Sequence, residues 1–192
     1  MARSKEFDRD KALDTAIHLF RKNGYAATTT DDLRLAMGIG RQSFYDTFEG
    51  KREIYREALL KYSSDRSTKF FDIAKKNKSP LKAIEAILHS FTAEDKSEKC
   101  LACLGVSSIC EFGTSDAQIA LINKNAGVAV LSFLEKLLIE AKDKGEVRKS
   151  LNPSAIAEYL LTVIAGIKVA VRSEAPSKKI DQTIKVVMDS LS

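Results

Sequence analysis

The stretch from Thr28 to Lys51 constrains the fold more than any other part of this 192-residue chain. Leu33, Ala36 and Met37 recur at i, i+3 and i+4, a helical pattern preceded by Thr28, Thr29 and Thr30. A threonine oxygen accepts a backbone N–H that the first turn would leave unpaired, so the cluster is a start signal. Gly38 stops the pattern, because glycine enters the left-handed region without a Cβ clash. Beyond Ile39 and Gly40, Phe44 and Phe48 lie one turn apart in a second short pattern. Two short helices across so tight a turn make a helix-turn-helix, whose second helix can enter a DNA major groove.

With Phe44 and Phe48 inward, Arg41, Gln42, Ser43, Tyr45 and Asp46 project from the remaining sides. Arginine can grip guanine with two parallel hydrogen bonds, and glutamine can do the same for adenine. Ser43, Tyr45, Thr28 and Thr29 suit phosphate contacts, which position a protein without reading sequence. Lys51 opens the next helical pattern, where a cation and a helix N-terminus together attract phosphate. The same periodicity fits any αα-hairpin with a solvated polar face, and on pattern alone both readings stand.

Only three prolines and nine glycines are present, and no alternating β-branched runs stand out, so an all-α fold is expected. Charged residues from Arg3 to Asp10 interrupt any signal-peptide pattern, and no apolar run approaches the ~20 residues of a membrane span. A cytoplasmic protein with reduced thiols, in no membrane, is the expectation. Charge does not nominate DNA binding: residues 1–60 hold 11 Lys+Arg against 10 Asp+Glu, a net of +1. Residues 61–78 hold 6 against 2, a net of +4. Phosphate affinity would come from placement, with Arg3, Lys5, Arg34, Arg41, Lys51 and Arg52 gathered on one side and the Met1–Glu6 arm following the backbone.

Further patterns predict a first helix over 8–23, with Leu13, Ala16, Ile17 and Phe20 as its core stripe, and His18 at the surface. Tyr25 is expected to tuck under the helices as a structural residue. A long helix from Lys51 towards Lys76 spans the join between domains and can transmit a shift from one to the other. The basic loop Lys75-Lys76-Asn77-Lys78 closes it, and Ser79-Pro80 opens a helix burying Ile84, Ile87, Leu88 and Phe91. His89 is read as a satisfied or exposed histidine. After a charged loop over 93–99, helices are predicted from Cys100 to Glu111, Asp116 to Lys144, Ser154 to Ser173 and Ser177 to Leu191. The third of these patterns, Ser154 to Ser173, apolar nearly all round, implies burial on every side. The last carries Ile180, Ile184, Val187, Met188 and Leu191 on one stripe. So much apolar surface at a chain end calls for a second copy of the chain.

Leu19-Phe20, Asn23-Gly24-Tyr25, Thr28-Thr29, Met37-Gly38-Ile39 and Ser43-Phe44-Tyr45, with Phe48 and Lys51, resemble the N-terminal domain of TetR-family transcriptional repressors. The match runs without a gap from about Lys11 to Tyr55 and departs from the family pattern at Arg34 and Gly40. Beyond Tyr55 only the layout is similar. The resemblance implies a three-helix DNA-binding domain over 1–52 and a larger helical effector-binding and dimerisation domain over 53–192. It implies a homodimer through the helices at about 154–173 and 177–191, reading a palindrome in double-stranded DNA, and a small hydrophobic inducer that releases it. It places the inducer pocket between Ser79 and Val171, for which Phe91, Cys103, Leu104, Ser107, Asn123, Phe133, Tyr159 and Ile164 are the candidate lining.

Cys100, Cys103, Ser107 and Cys110 would share one face of a helix. They are read first as small core residues, with two alternatives, a thiol that senses oxidants or electrophiles and a metal site. The metal reading is weak, because no second pair stands at zinc spacing, and no metal or cofactor is expected. Gly38-Ile39-Gly40 is no dinucleotide fingerprint, and no hydrolase or Walker motif is present, so enzyme activity is not expected. From a different class, a helical protein-interaction module without specific DNA affinity would satisfy the same periodicities.

Overall fold

The structure, a computed structural model, describes residues 8–92 and 101–191. The expected Met1–Glu6 arm with Arg3 and Lys5, the charged loop over 93–99, and Cys100 lie outside the described residues. Those residues form nine helices and no strand: α1 (Arg9–Ala27), α2 (Thr30–Met37), α3 (Arg41–Phe48), α4 (Lys51–Lys75), α5 (Pro80–His89), α6 (Leu104–Phe112), α7 (Ala117–Asp143), α8 (Pro153–Arg172) and α9 (Ser177–Leu191). The caps are those that local chemistry demands. Ser79 and Asn152 accept first-turn N–H groups of α5 and α8, each followed by a proline at N1, and Gly38 ends α2 at φ 67°.

The chain packs as two units. One takes residues up to Ser63 together with Leu104–Ile122, and the other takes Ser64–Cys103 and the chain from Asn123 on. The divisions fall inside α4 and α7. In the first unit, Leu13, Ala16 and Phe20 of α1, Leu33 of α2, and Phe44 and Phe48 of α3 close on Tyr55 and Leu59 of α4, with Leu104 and Ile119 completing the core. Phe20, Tyr25, Tyr55 and Phe112 form an aromatic cluster, with Phe20–Tyr55 and Tyr25–Phe112 centroids both 4.8 Å apart in edge geometry. Such pairs add about 0.5–1.5 kcal/mol beyond their buried area. Burial pushes the Tyr55 hydroxyl up to about 12, the Ser108 hydroxyl partly offsetting it.

The second unit is built on Phe70 of α4, Ile84, Ile87 and Leu88 of α5, Leu134 and Leu138 of α7, Leu160 and Ile164 of α8, and Ile180 and Ile184 of α9. Three expectations change here. First, α8 buries only one stripe (Ala157, Leu160, Ile164, Ile167), while Tyr159 and Val169 remain 40% and 55% exposed, so the chain by itself does not bury the helix on every side. Second, α7 and α8 are long and apolar enough, by length and composition alone, to cross a membrane, contrary to the expectation that no run approaches that length. Each nonetheless contributes a buried stripe to these helical cores. Third, α6 begins at Leu104 and not at Cys100. Cys103 therefore precedes the helix, is half-buried, and shares no helical face with Cys110, which is exposed. Small core residue does not describe Cys110.

Phe20 is fully buried at the centre of the first unit. Phe20→Ala is expected to destabilise that unit by about 3–5 kcal/mol, read as a lower urea midpoint with an unchanged slope.

Candidate nucleic-acid interface

An eight-residue helix such as α3 is too short to be stable alone, so its place depends on what it buries. Phe44 and Phe48 are buried and their rings pack 5.7 Å apart, which leaves Arg41, Gln42, Tyr45 and Asp46 exposed and Ser43 half-buried. The Arg41 guanidinium lies 6.0 Å from the Tyr45 ring centroid, and the Gln42 amide donates to Asp46 Oδ1 at 2.8 Å. The base-reading candidates thus form one polar surface, on which the Asp46 carboxylate holds the Gln42 amide. Gly40 precedes the helix and offers no side-chain oxygen, so the first N–H groups of α3 carry no side-chain cap. Uncapped N–H groups with the positive end of a helix dipole suit a phosphate oxygen.

The threonine cluster divides. Thr29 caps α2 in a reciprocal capping box: Asp32 N–H donates to Thr29 Oγ1 at 3.0 Å and Thr29 N–H to Asp32 Oδ2 at 2.8 Å. Thr28 is fully buried, its hydroxyl donating to the Gly24 carbonyl at 2.7 Å, so that hydroxyl points inward where a phosphate contact was expected. Lys51 is half-buried, its ammonium 4.2 Å from the Tyr25 centroid and 3.4 Å from the Ala26 carbonyl, which holds the charge at the start of α4. Arg34 pairs with Asp31 at 2.6 Å. Arg52, expected on the same cationic side, is engaged elsewhere: Nε and Nη2 donate to Asp116 at 2.7 and 3.0 Å, and Nη2 donates also to Gln118 at 3.0 Å.

These contacts introduce residues that the helix-turn-helix pattern did not contain. The Glu111 carboxylate at the end of α6 accepts from Tyr25 N–H at 3.1 and 3.0 Å and from Ala26 N–H at 3.1 Å. The break that exposes those donors is Gly24, at φ 81° and ψ 171°, where an added Cβ would stand 3.3 Å from Glu111 Oε1. Asp116 does two things, binding Arg52 and capping α7 through the Gln118 and Ile119 N–H groups at 3.1 Å. Its cap role is readable from sequence, but its partner Arg52 is 64 positions away and leaves no local signal.

The residues expected to line an inducer pocket are drawn from both units. Phe91 and Ile164 lie in the core of the second unit and Leu104 in that of the first. Phe133 packs against Phe71 at 4.6 Å, Tyr159 is exposed, and Cys103, Ser107 and Asn123 are half-buried.

Two outcomes follow from the clamps. The Arg52 guanidinium, and then the Ile119 N–H, hold the Asp116 carboxyl below the usual carboxylate range. A depressed folded-state value means that this stabilisation is complete above about pH 4 and lost as pH falls through the lower value. Asp116→Asn should therefore flatten the acid limb of a Tm-versus-pH profile; an unaltered limb would show the clamp to be idle. Glu111→Ala, which removes an exposed carboxylate from three N–H contacts, is expected to cost about 1 kcal/mol by urea unfolding.

Comparison with known proteins agrees with this geometry. Residues 12–58 match the bacterial regulatory proteins of the tetR family. Over 162 residues, 83% of this chain and 84% of the relative, the protein is 31% identical to the HTH-type transcriptional regulator YezE of Bacillus subtilis (strain 168). It is 28% identical over 185 residues to the HTH-type transcriptional repressor ComR of Escherichia coli (strain K12), covering 94% and 87% of the two chains. Its fold superposes on a cysteine mutant of the TetR family transcriptional regulator CifR, solved with 26-base-pair double-strand operator DNA, with a TM-score of 0.85, 21% identity and full coverage of both chains. The chain belongs to the tetR family of bacterial regulatory proteins and is a DNA-binding transcriptional regulator, not an enzyme.

Proposed function

We propose that this regulator is a cytoplasmic, ligand-responsive repressor that binds a palindromic operator as a homodimer and leaves it when a small hydrophobic inducer binds. The observation that carries the reading is the exposed row Arg41, Gln42, Tyr45 and Asp46 on a helix whose other side is anchored by two buried phenylalanines. In this reading residues 1–52 bind DNA and 53–192 bind the effector and the second copy. Arg41 and Gln42 read base edges, and Ser43, Tyr45, Thr29 and Lys51 position the helix on phosphates. Asp46 orients the Gln42 amide and disfavours bases that would set an acceptor against it.

Dimerisation through α8 and α9 is supported by apolar surface the single chain leaves uncovered: Tyr159 and Val169 on α8, and Val186, 66% exposed, on α9. Two recognition helices related by a two-fold axis would meet half-sites about 34 Å apart. The inducer selects a conformation in which that spacing is lost. A thiol-sensing alternative keeps the same operator and draws on Cys100, Cys103 or Cys110, and the exposure of Cys110 favours it.

Selection of random duplex DNA on the purified protein tests the reading. Recovery of a palindrome with half-sites about one turn apart is expected, and recovery of no enriched sequence would sink it in favour of a helical protein-interaction module. On the selected operator, Arg41→Ala should cost about 1–3 kcal/mol and relax base preference at one position. Lys51→Ala should weaken binding to all sequences alike and reduce its salt dependence. Release by peroxide that Cys110→Ser abolishes would favour the thiol sensor over the reversible inducer.

A further inference from the structure

Phe71 is a large aromatic on the outer side of α4 that remains 51% exposed, and the basic loop that follows it has no role in the DNA reading. Both border one cleft in the second unit. We propose that this cleft, between the end of α4, the start of α5 and the C-terminal half of α7, is a binding site for a small amphipathic anion, a single carboxylate on an apolar chain or ring.

The cleft has a volume of about 360 Å³, within the range of small-molecule sites. Its apolar side is formed by the Phe71–Phe133 pair over Pro80, Ala83 and Leu137, the last three buried. Its polar side carries Lys75, Lys78, Lys136 and Lys144, with Glu140 as the one acidic residue of the lining, an excess of three positive charges by that count of four against one. Lys144 is fixed at the mouth, its ammonium donating to the Lys78 carbonyl at 2.9 Å. The amines of Lys75, Lys78 and Lys136 take part in no ion pair among the described residues. Glu146 is engaged at a helix start and forms no ion pair with them. Its carboxylate accepts from the Ser79 hydroxyl at 2.8 Å and the Leu81 N–H at 3.0 Å at the start of α5.

An apolar wall beside unneutralised ammonium groups selects the occupant. A bare phosphate would leave the aromatic pair uncovered, and lysines are point charges without the planar fork that grips phosphate at two points. A neutral hydrocarbon would leave like charges crowded around it. One carboxylate among the lysines, with its chain along Phe71 and Phe133, satisfies both sides. Of the residues expected to line an inducer pocket only Phe133 is here, and binding to this cleft does not depend on the inducer reading.

Calorimetric titration of the full chain with decanoate, 1-decanol and decyltrimethylammonium, all below micelle formation, tests the proposal. Decanoate should bind about tenfold more tightly than the other two at low salt and lose that margin at high salt. Lys75→Glu/Lys136→Glu should weaken decanoate about tenfold, and Phe71→Ala should weaken it with the salt dependence kept. All these positions are exposed, so helicity and Tm are expected to hold. Equal binding of decanol, or undiminished decanoate binding in folded variants, would overturn the site. Pelleting of the protein with phosphatidylglycerol vesicles, lost in the same double variant, would overturn it too, by making the lysines a contact for a lipid surface. Because binding is read on the free protein, these failures leave the operator reading untouched.

Discussion

The DNA-binding unit depends on a single break in its first helix. At Gly24 the backbone turns into a region that glycine alone occupies without strain, and the next two N–H groups lose their helical partners. The Glu111 carboxylate receives them, and the turn it stabilises delivers Thr28 inward and Thr29 to the start of α2. Tyr25, held in that turn, is the ring on which the Lys51 ammonium rests and a member of the aromatic cluster around Tyr55. One carboxylate from α6 therefore sets where α1 ends, where α2 begins and where a cation stands at the head of α4.

The same unit shows why bulk charge is a poor guide to a DNA-binding surface. Most cations near the helix-turn-helix are engaged in pairs: Arg9 with Glu57, Arg34 with Asp31, Arg52 with Asp116, and Lys61 with Asp14. These pairs tie neighbouring helices and turns together and leave those cations partly neutralised. The outward face of α3 is furnished instead with one arginine, an amide, a phenol and a carboxylate, groups suited to directional hydrogen bonds. Its N–H groups, left uncapped by Gly40, supply a local positive potential that no count of lysines and arginines registers.

In the second unit two of the cations counted over residues 61–78, Lys75 and Lys78, face a cleft with an aromatic wall. Lys136 and Lys144 join them there with Glu140, while Glu146 accepts from the Ser79 hydroxyl and the Leu81 N–H at the start of α5. Local capping needs and surface charge thus interact: an acid recruited to a helix start is no longer available to a neighbouring lysine. The uncovered apolar faces of α8 and α9 are a separate matter, since they lie on helices whose opposite stripes already complete the core.

Much was legible from residues in order along the chain. Helix starts at Ser79, Asp116 and Asn152, the stop at Gly38, the inward phenylalanines of α3 and the buried stripes of α1, α5 and α9 all follow from contacts within one or two turns, which spacing encodes directly. The family resemblance, carried by residues between Lys11 and Tyr55, rests on the same kind of local pattern. What spacing could not supply was any pairing over long separations. Nothing near Glu111 announces Tyr25, nothing near Asp116 announces Arg52, and the inward turn of the Thr28 hydroxyl depends on a carbonyl exposed by the Gly24 break. The shared face assigned to the cysteines failed because helix propensity does not fix where α6 begins. Sequence alone determined which segments are helical and which side of each is apolar, because those are properties of neighbours on one helix. Tertiary structure decided which polar groups remain available to DNA or a ligand, because hydrogen bonds and ion pairs between distant segments are made only when the chain has closed.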